Sequence, residues 1–107
     1  MSKQAVLAIV NQIFDIERKL NDARNQDRFR RNISRIYFEL EEGFNIIVKD
    51  PTGEKYKDSR MDCDANIVGE LLSDMNIIET LKPAVYEKDQ EGSLQIIQKA
   101  VVIVSGK

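Results

Sequence analysis

Apolar residues recur at Val6, Ile9, Val10, Ile13, Ile16 and Leu20, three and four positions apart, with Leu7 and Phe14 widening the stripe on one flank. That is the helical period, so an amphipathic helix is predicted over residues 2–20, with Ser2 at its N-cap and no capping-box acid behind it. The stripe is wider than one groove requires and predicts two helical neighbours. Residues 21–26 offer no apolar anchor and read as a link. Beyond it, Asp27 is placed to cap a second helix in which Phe29, Ile33, Ile36, Leu40 and Phe44 step by three and four, with Tyr37 beside them. Gly43 stands where a left-handed C-cap would end that helix. Two such helices on a short polar link predict an antiparallel hairpin, and pairing with a second copy gives a four-helix bundle.

The period then changes. Ile46-Ile47-Val48 is β-branched, and Asp50-Pro51-Thr52-Gly53 carries proline and glycine where a turn wants them, predicting a hairpin or β-arch. A short strand is predicted over residues 61–65. Residues 66–74 are ambiguous, because Ile67, Val68, Leu71 and Leu72 sit at helical spacing while Gly69 opposes a helix. Residues 76–82 alternate like a strand, and Pro83 ends it. Residues 87–93 are polar around Gly92 and predict the exposed tip of a hairpin. Residues 94–104, LQIIQKAVVIV, form the most apolar run and predict the innermost strand, with a break or bulge at Gln98-Lys99 and Ala100 small beneath close packing. The fold class is thus α+β: a helical hairpin over residues 1–45 that dimerises, then a small all-β domain over residues 46–107.

Composition narrows the function. Sixteen basic and eighteen acidic residues nearly cancel in 107 residues, which argues against a dedicated nucleic-acid module. Arg24, Arg28, Arg30, Arg31 and Arg35 cluster at the second helix and the link before it, yet no aromatic residue is free there to stack bases, and a solvated charged face accounts for them. Histidine is absent and Cys63 is the single cysteine, which removes intrachain disulfides, the usual zinc ligand sets and histidine-based triads. Asp58, Asp62 and Asp64 could be drawn as a cation site. In an extended backbone, however, Asp62 and Asp64 face one side and Cys63 the other, so the acids read as solvent-exposed and Cys63 as core. No glycine-rich phosphate loop exists. Enzymatic activity, a metal and a cofactor are therefore not expected. Charges at Lys3, Asp15, Glu17, Arg18 and Lys19 leave no membrane span or signal peptide at the start, and a cytoplasmic location is expected.

The order of Asp50-Pro51-Thr52-Gly53-Glu54-Lys55-Tyr56, Met61-Asp62-Cys63, Ile77-Ile78-Glu79-Thr80-Leu81-Lys82, Tyr86 and the closing Ile96-Ile97-Gln98-Lys99-Ala100-Val101-Val102-Ile103-Val104 resembles the β-domain of the GrpE family, the nucleotide exchange factors of DnaK-type chaperones. The helices are similar as well, in VLAIVNQIFDIERKL and in residues 33–44. The resemblance implies a homodimer whose bundle is held by Val6, Ile9, Val10, Ile13, Ile33, Ile36 and Leu40. It also implies a β-domain that meets the nucleotide-binding domain of a DnaK-type chaperone or related ATPase through Met61, Leu81, Tyr86, Gln95 and Ile97, of which Ile97 reads rather as core. Exchange would follow from tighter binding to the open form of the chaperone, which must loosen nucleotide by the same coupling free energy. The family's long N-terminal helix has no counterpart before Val6, so a short form is expected. Ala84-Val85-Tyr86 stands where the family has Gly-Tyr, and Gln95 stands at a usually basic position. A binding or scaffold module of the same fold, without exchange activity, is the alternative.

Overall fold

Helix α1 spans Lys3–Asn21 and helix α2 spans Gln26–Phe44 in a computed structural model that describes residues 2–21, 26–70 and 74–106. Ser2 starts α1 as predicted, its Oγ accepting the Ala5 N–H at 3.1 Å. Helix α2 ends later than predicted: Gly43 stays helical, and Asn45 takes the left-handed conformation at φ 59°, its N–H donating to the Glu41 carbonyl. Asparagine tolerates that region better than other residues with a Cβ, so the cap moved two positions along. Link residues 22–25, with Arg24, lie outside the described residues, as do Leu71 and Leu72 and the side chains of Asp27 and Arg28.

Seven strands follow among the described residues: β1 Ile46–Lys49, β2 Lys55–Tyr56, β3 Cys63–Ile67, β4 Met75–Lys82, β5 Ala84–Lys88, β6 Leu94–Gln98 and β7 Ala100–Ser105. They form a three-stranded sheet in the order β1-β5-β6 and a four-stranded sheet in the order β2-β4-β7-β3. Strands β3 and β7 run parallel, and every other pair is antiparallel. The 50–53 turn is an arch, since it carries the chain from one sheet into the other; Asp50 Oδ1 accepts the Thr52 N–H and hydroxyl, and Gly53 supplies φ 93°.

The long apolar run is two strands, not one. It turns a corner at Lys99, leaving β6 on the edge of the three-stranded sheet and β7 in the middle of the other. Only β7 is innermost, with Ala100, Val102 and Val104 fully buried. The bulge predicted at Gln98 is present: Val85 opposes Gln98 while Tyr86 opposes Ile96, so β6 carries Ile97 as the extra residue.

Two clusters form the core. The first joins Cys63, Met75, Ile77, Ala84, Ala100, Val102 and Val104 around the four-stranded sheet. The second joins Val6 and Val10 of α1 to Ile46 and Val85, with Leu40, Val48 and Ile97 packed around them. Helix α1 therefore lies along the β-domain. Polar contacts repeat the attachment: Asn11 and Gln98 exchange two amide hydrogen bonds at 3.0 and 2.9 Å, Gln98 also donates to the Pro83 carbonyl, and Arg18 pairs with Glu79 at 2.6 Å.

This divides the stripe expected to hold a dimer. Val6, Val10 and Ile33 are buried within the chain, Ile13 and Leu40 are half-buried, and Ile9 and Ile36 are exposed. Ile16, Phe29, Phe38 and Phe44 are exposed beside them.

Candidate functional site

Alternation along β5 separates two faces of the three-stranded sheet. Val85 and Glu87 point to α1, where Val85 meets Val6 and Val10 and Glu87 pairs with Lys3 at 3.3 Å. Tyr86 points the other way, between Ile47 on β1 and Ile96 on β6, and Leu94 stands opposite Lys88 on that same side. The face away from α1 is thus Ile47, Tyr86, Ile96 and Leu94; Tyr86 is half-buried there, packed against the core cluster of the four-stranded sheet, with the Lys49 ammonium 5.7 Å from the centre of its ring. Leu94 and Ile96 are 44% and 39% exposed.

Next to this face, residues 60–62 are held by an arginine clamp. The Arg60 fork meets Asp62 twice, Nε to Oδ1 at 3.0 Å and Nη2 to Oδ2 at 2.8 Å, and reaches Glu54 at 3.0 Å and the Lys55 carbonyl at 2.9 Å. Met61 is thereby presented at 79% exposure. Burial, and after it the Asp62 carboxylate, pushes the Tyr86 phenol above its usual range, so the clamp and the tyrosine share one electrostatic neighbourhood.

The clamp has a pH signature. Hydrogen bonds from Arg60 hold the Asp62 carboxyl below its ordinary 3.8. A carboxyl whose folded value is depressed stabilises the fold above the unfolded value and loses that contribution as pH falls through the folded one. Arg60→Met is therefore expected to melt below the parent at neutral pH, and the gap between the two should close as pH drops below about 4. Melting curves across pH 2–7 check this, and a gap independent of pH would remove the clamp's role.

The structure brings Met61 and Tyr86 into one region and distributes the other three expected contacts. Leu81 is exposed on β4 in the other sheet, within the irregular register between Thr80 and Lys82. Gln95 is exposed but faces the helix side, opposite Glu87, and Ile97 packs into the α1 core. Leu94, Ile96 and Ile47 are the face residues that sequence spacing missed. A one-residue change of register exchanges the two sides of a strand, and here the turn at residues 89–92 with Gly92 at φ 87° sets it.

Among the remaining candidates, Cys63 is buried, and burial followed by Asp62 pushes its thiol up to about 11, so thiolate chemistry at neutral pH is suppressed. Arg35 pairs with Glu39 at 2.8 Å and lies 5.5 Å over Phe38. No group of three or more metal-ligating side chains is found among the described residues. A cleft of about 620 Å³ between α1 and β4 is lined by Phe14, Arg18, Thr52, Ile78 and Thr80. Its polar groups are mutually satisfied: the buried Thr80 hydroxyl donates to Thr52, which donates to Asp50 at 2.7 Å. No helix among the described residues is long and apolar enough to cross a membrane.

Compared with known proteins, the chain matches no family model, no curated protein and no solved structure.

Proposed function

We propose that this protein is a GrpE-like co-chaperone of the cytoplasm. It binds the nucleotide-binding domain of a DnaK-type ATPase through its β-domain, without enzymatic activity of its own, and promotes ADP release. The observation that carries the reading is the face of the three-stranded sheet away from α1. Leu94 and Ile96 are exposed there beside the half-buried Tyr86, and Met61, between the clamped Arg60 and Asp62, is 79% exposed. Exposed apolar and methionine side chains on and beside a sheet suit a protein partner, since large apolar groups carry most interface energy. The motif order along residues 50–104 and two helices ahead of a β-rich domain agree with the family resemblance.

The homodimer belongs to the same proposal. Ile9, Ile16, Phe29 and Ile36 are exposed on the helices, and a second copy would complete a four-helix bundle over them, while Val6 and Val10 pack on the β-domain.

The test is release of labelled ADP from a DnaK-type chaperone. Saturating protein is expected to accelerate release at least about tenfold, and Met61→Ala, costless to the fold at that exposure, is expected to raise the half-maximal concentration about 5- to 30-fold. Binding without acceleration would favour a scaffold module of the same fold. Neither binding nor acceleration removes the chaperone reading.

A further inference from the structure

Strand β6 is an open edge, and its backbone geometry can be read from the turn that precedes it. The Asp89 N–H donates to the Ser93 carbonyl at 2.9 Å, which makes residues 89 and 93 a hydrogen-bonded pair. Antiparallel alternation then makes Lys88 and Leu94 a non-bonded pair, Glu87 and Gln95 a bonded one, and Tyr86 and Ile96 again non-bonded. The Lys88 N–H confirms the phase, since it points away from β6 to the Asn45 carbonyl. The N–H and C=O groups of Leu94 and Ile96 consequently point outward from the sheet. Their side chains are the two exposed apolar groups of the strand.

Edge strands are normally blunted by lysine, proline or an inward charge. Strand β6, reading LQIIQ, has none of these; its one protective irregularity, the bulge at Ile97, lies past Leu94 and Ile96 and leaves their outward groups open. Its flanks carry opposite charges, Glu91 on the turn and Lys99 past the end, and neither has an ion-pair partner within the chain among the described residues.

From this we infer that β6 pairs antiparallel with β6 of a second copy, about a two-fold axis through Gln95. In that register each Leu94 lies opposite Ile96 of the other copy and exchanges both backbone hydrogen bonds with it. The two Gln95 residues face one another, and each Glu91 reaches Lys99 of the other copy, the bulge at Ile97 shifting that end by about one residue. The product is a continuous six-stranded sheet. Its four central backbone bonds come only from residues that point outward, and both charged ends are complementary. Helix α1 covers the opposite face of the sheet at Val85 and Ile46, so edge pairing leaves the exposed helical residues untouched and does not depend on the chaperone reading.

A cysteine reports this contact directly, because a non-bonded antiparallel pair sets Cα atoms about 4.5 Å apart, within disulfide range. In a Cys63→Ala background, Gln95→Cys is expected to oxidise to a covalent dimer of twice the 12.3 kDa chain mass, at least about tenfold faster than Gln90→Cys on the turn. In the proposed register the two Gln90 positions lie far apart. Adding Leu94→Lys and Ile96→Lys, both at exposed sites, is expected to abolish the difference, whereas Ile36→Glu on α2 leaves it intact. Equal rates for Gln95→Cys and Gln90→Cys, or a rate unmoved by the paired lysines, would overturn the inference.

Discussion

Ile77→Ala is expected to lower the unfolding free energy by about 2–5 kcal/mol, with a drop in melting temperature on the order of 10–25 °C. Ile77 is 1% exposed on β4, paired with Val104 and packed in the cluster with Met75 and Val102. Its N–H donates to the Glu54 carbonyl and its own carbonyl accepts the Gly53 N–H, both at 2.8 Å, so the arch after Pro51 is fastened at the same residue. Removing three carbons there forfeits their burial and leaves a cavity that a paired strand cannot collapse into. Ile78, its neighbour, is 48% exposed, and Ile78→Ala is expected to stay within about 1 kcal/mol of the parent. Urea denaturation of the two variants measures the contrast, and equal losses would mean that the β4 register differs from that described.

The second large effect lies in α1. Val10→Asp places a carboxylate at a fully buried position among Val6, Ile46 and Val85, where no cation is at hand, and is expected to cost about 3–5 kcal/mol. Ile16 belongs to the same apolar stripe but is 52% exposed, so Ile16→Asp is expected to change the stability of the monomer by about 0.5 kcal/mol or less. Denaturation at low protein concentration reads the monomer term. At higher concentration Ile16→Asp becomes a probe of the proposed helical dimer, because a charge on the shared face lowers association without harming the chain itself.

Much of the fold was legible in the residues, for physical reasons that can be assigned. The shift from three- and four-residue spacing to β-branched runs near residue 45 located the passage from helix to strand, because the two backbones present their side chains at different periods. Pro51, Gly53 and Gly92 marked turns and Pro83 the end of β4, because of what their backbones permit. Cys63 fell in the core as alternation required. Less legible was everything that depends on a partner strand. Residues 94–104 show one apolar pattern for two different fates: β7 lies mid-sheet with one face buried and the other half-buried, and β6 is left on an edge.

The candidate site followed the same division. Tyr86 and Met61 entered only as residues that the family resemblance implies for a contact. Gln95 and Ile97 were separated from Leu94 and Ile96 only by the register of one hairpin. Arg60 gave no sequence signal, since its role depends on Glu54, Lys55 and Asp62 coming within reach of one guanidinium.

The sequence by itself determined the class of most segments, most of the turns and the α+β order, all properties of local backbone preference and side-chain period. Tertiary structure decided which side of each element is used. It laid α1 on the β-domain, which buries Val6 and Val10 and leaves Ile9 and Ile16 outside, and it turned the chain at Lys99, which opens β6. The physical reason is common to both: an apolar stripe or strand states that something must cover it, and only the packing of distant segments determines what does.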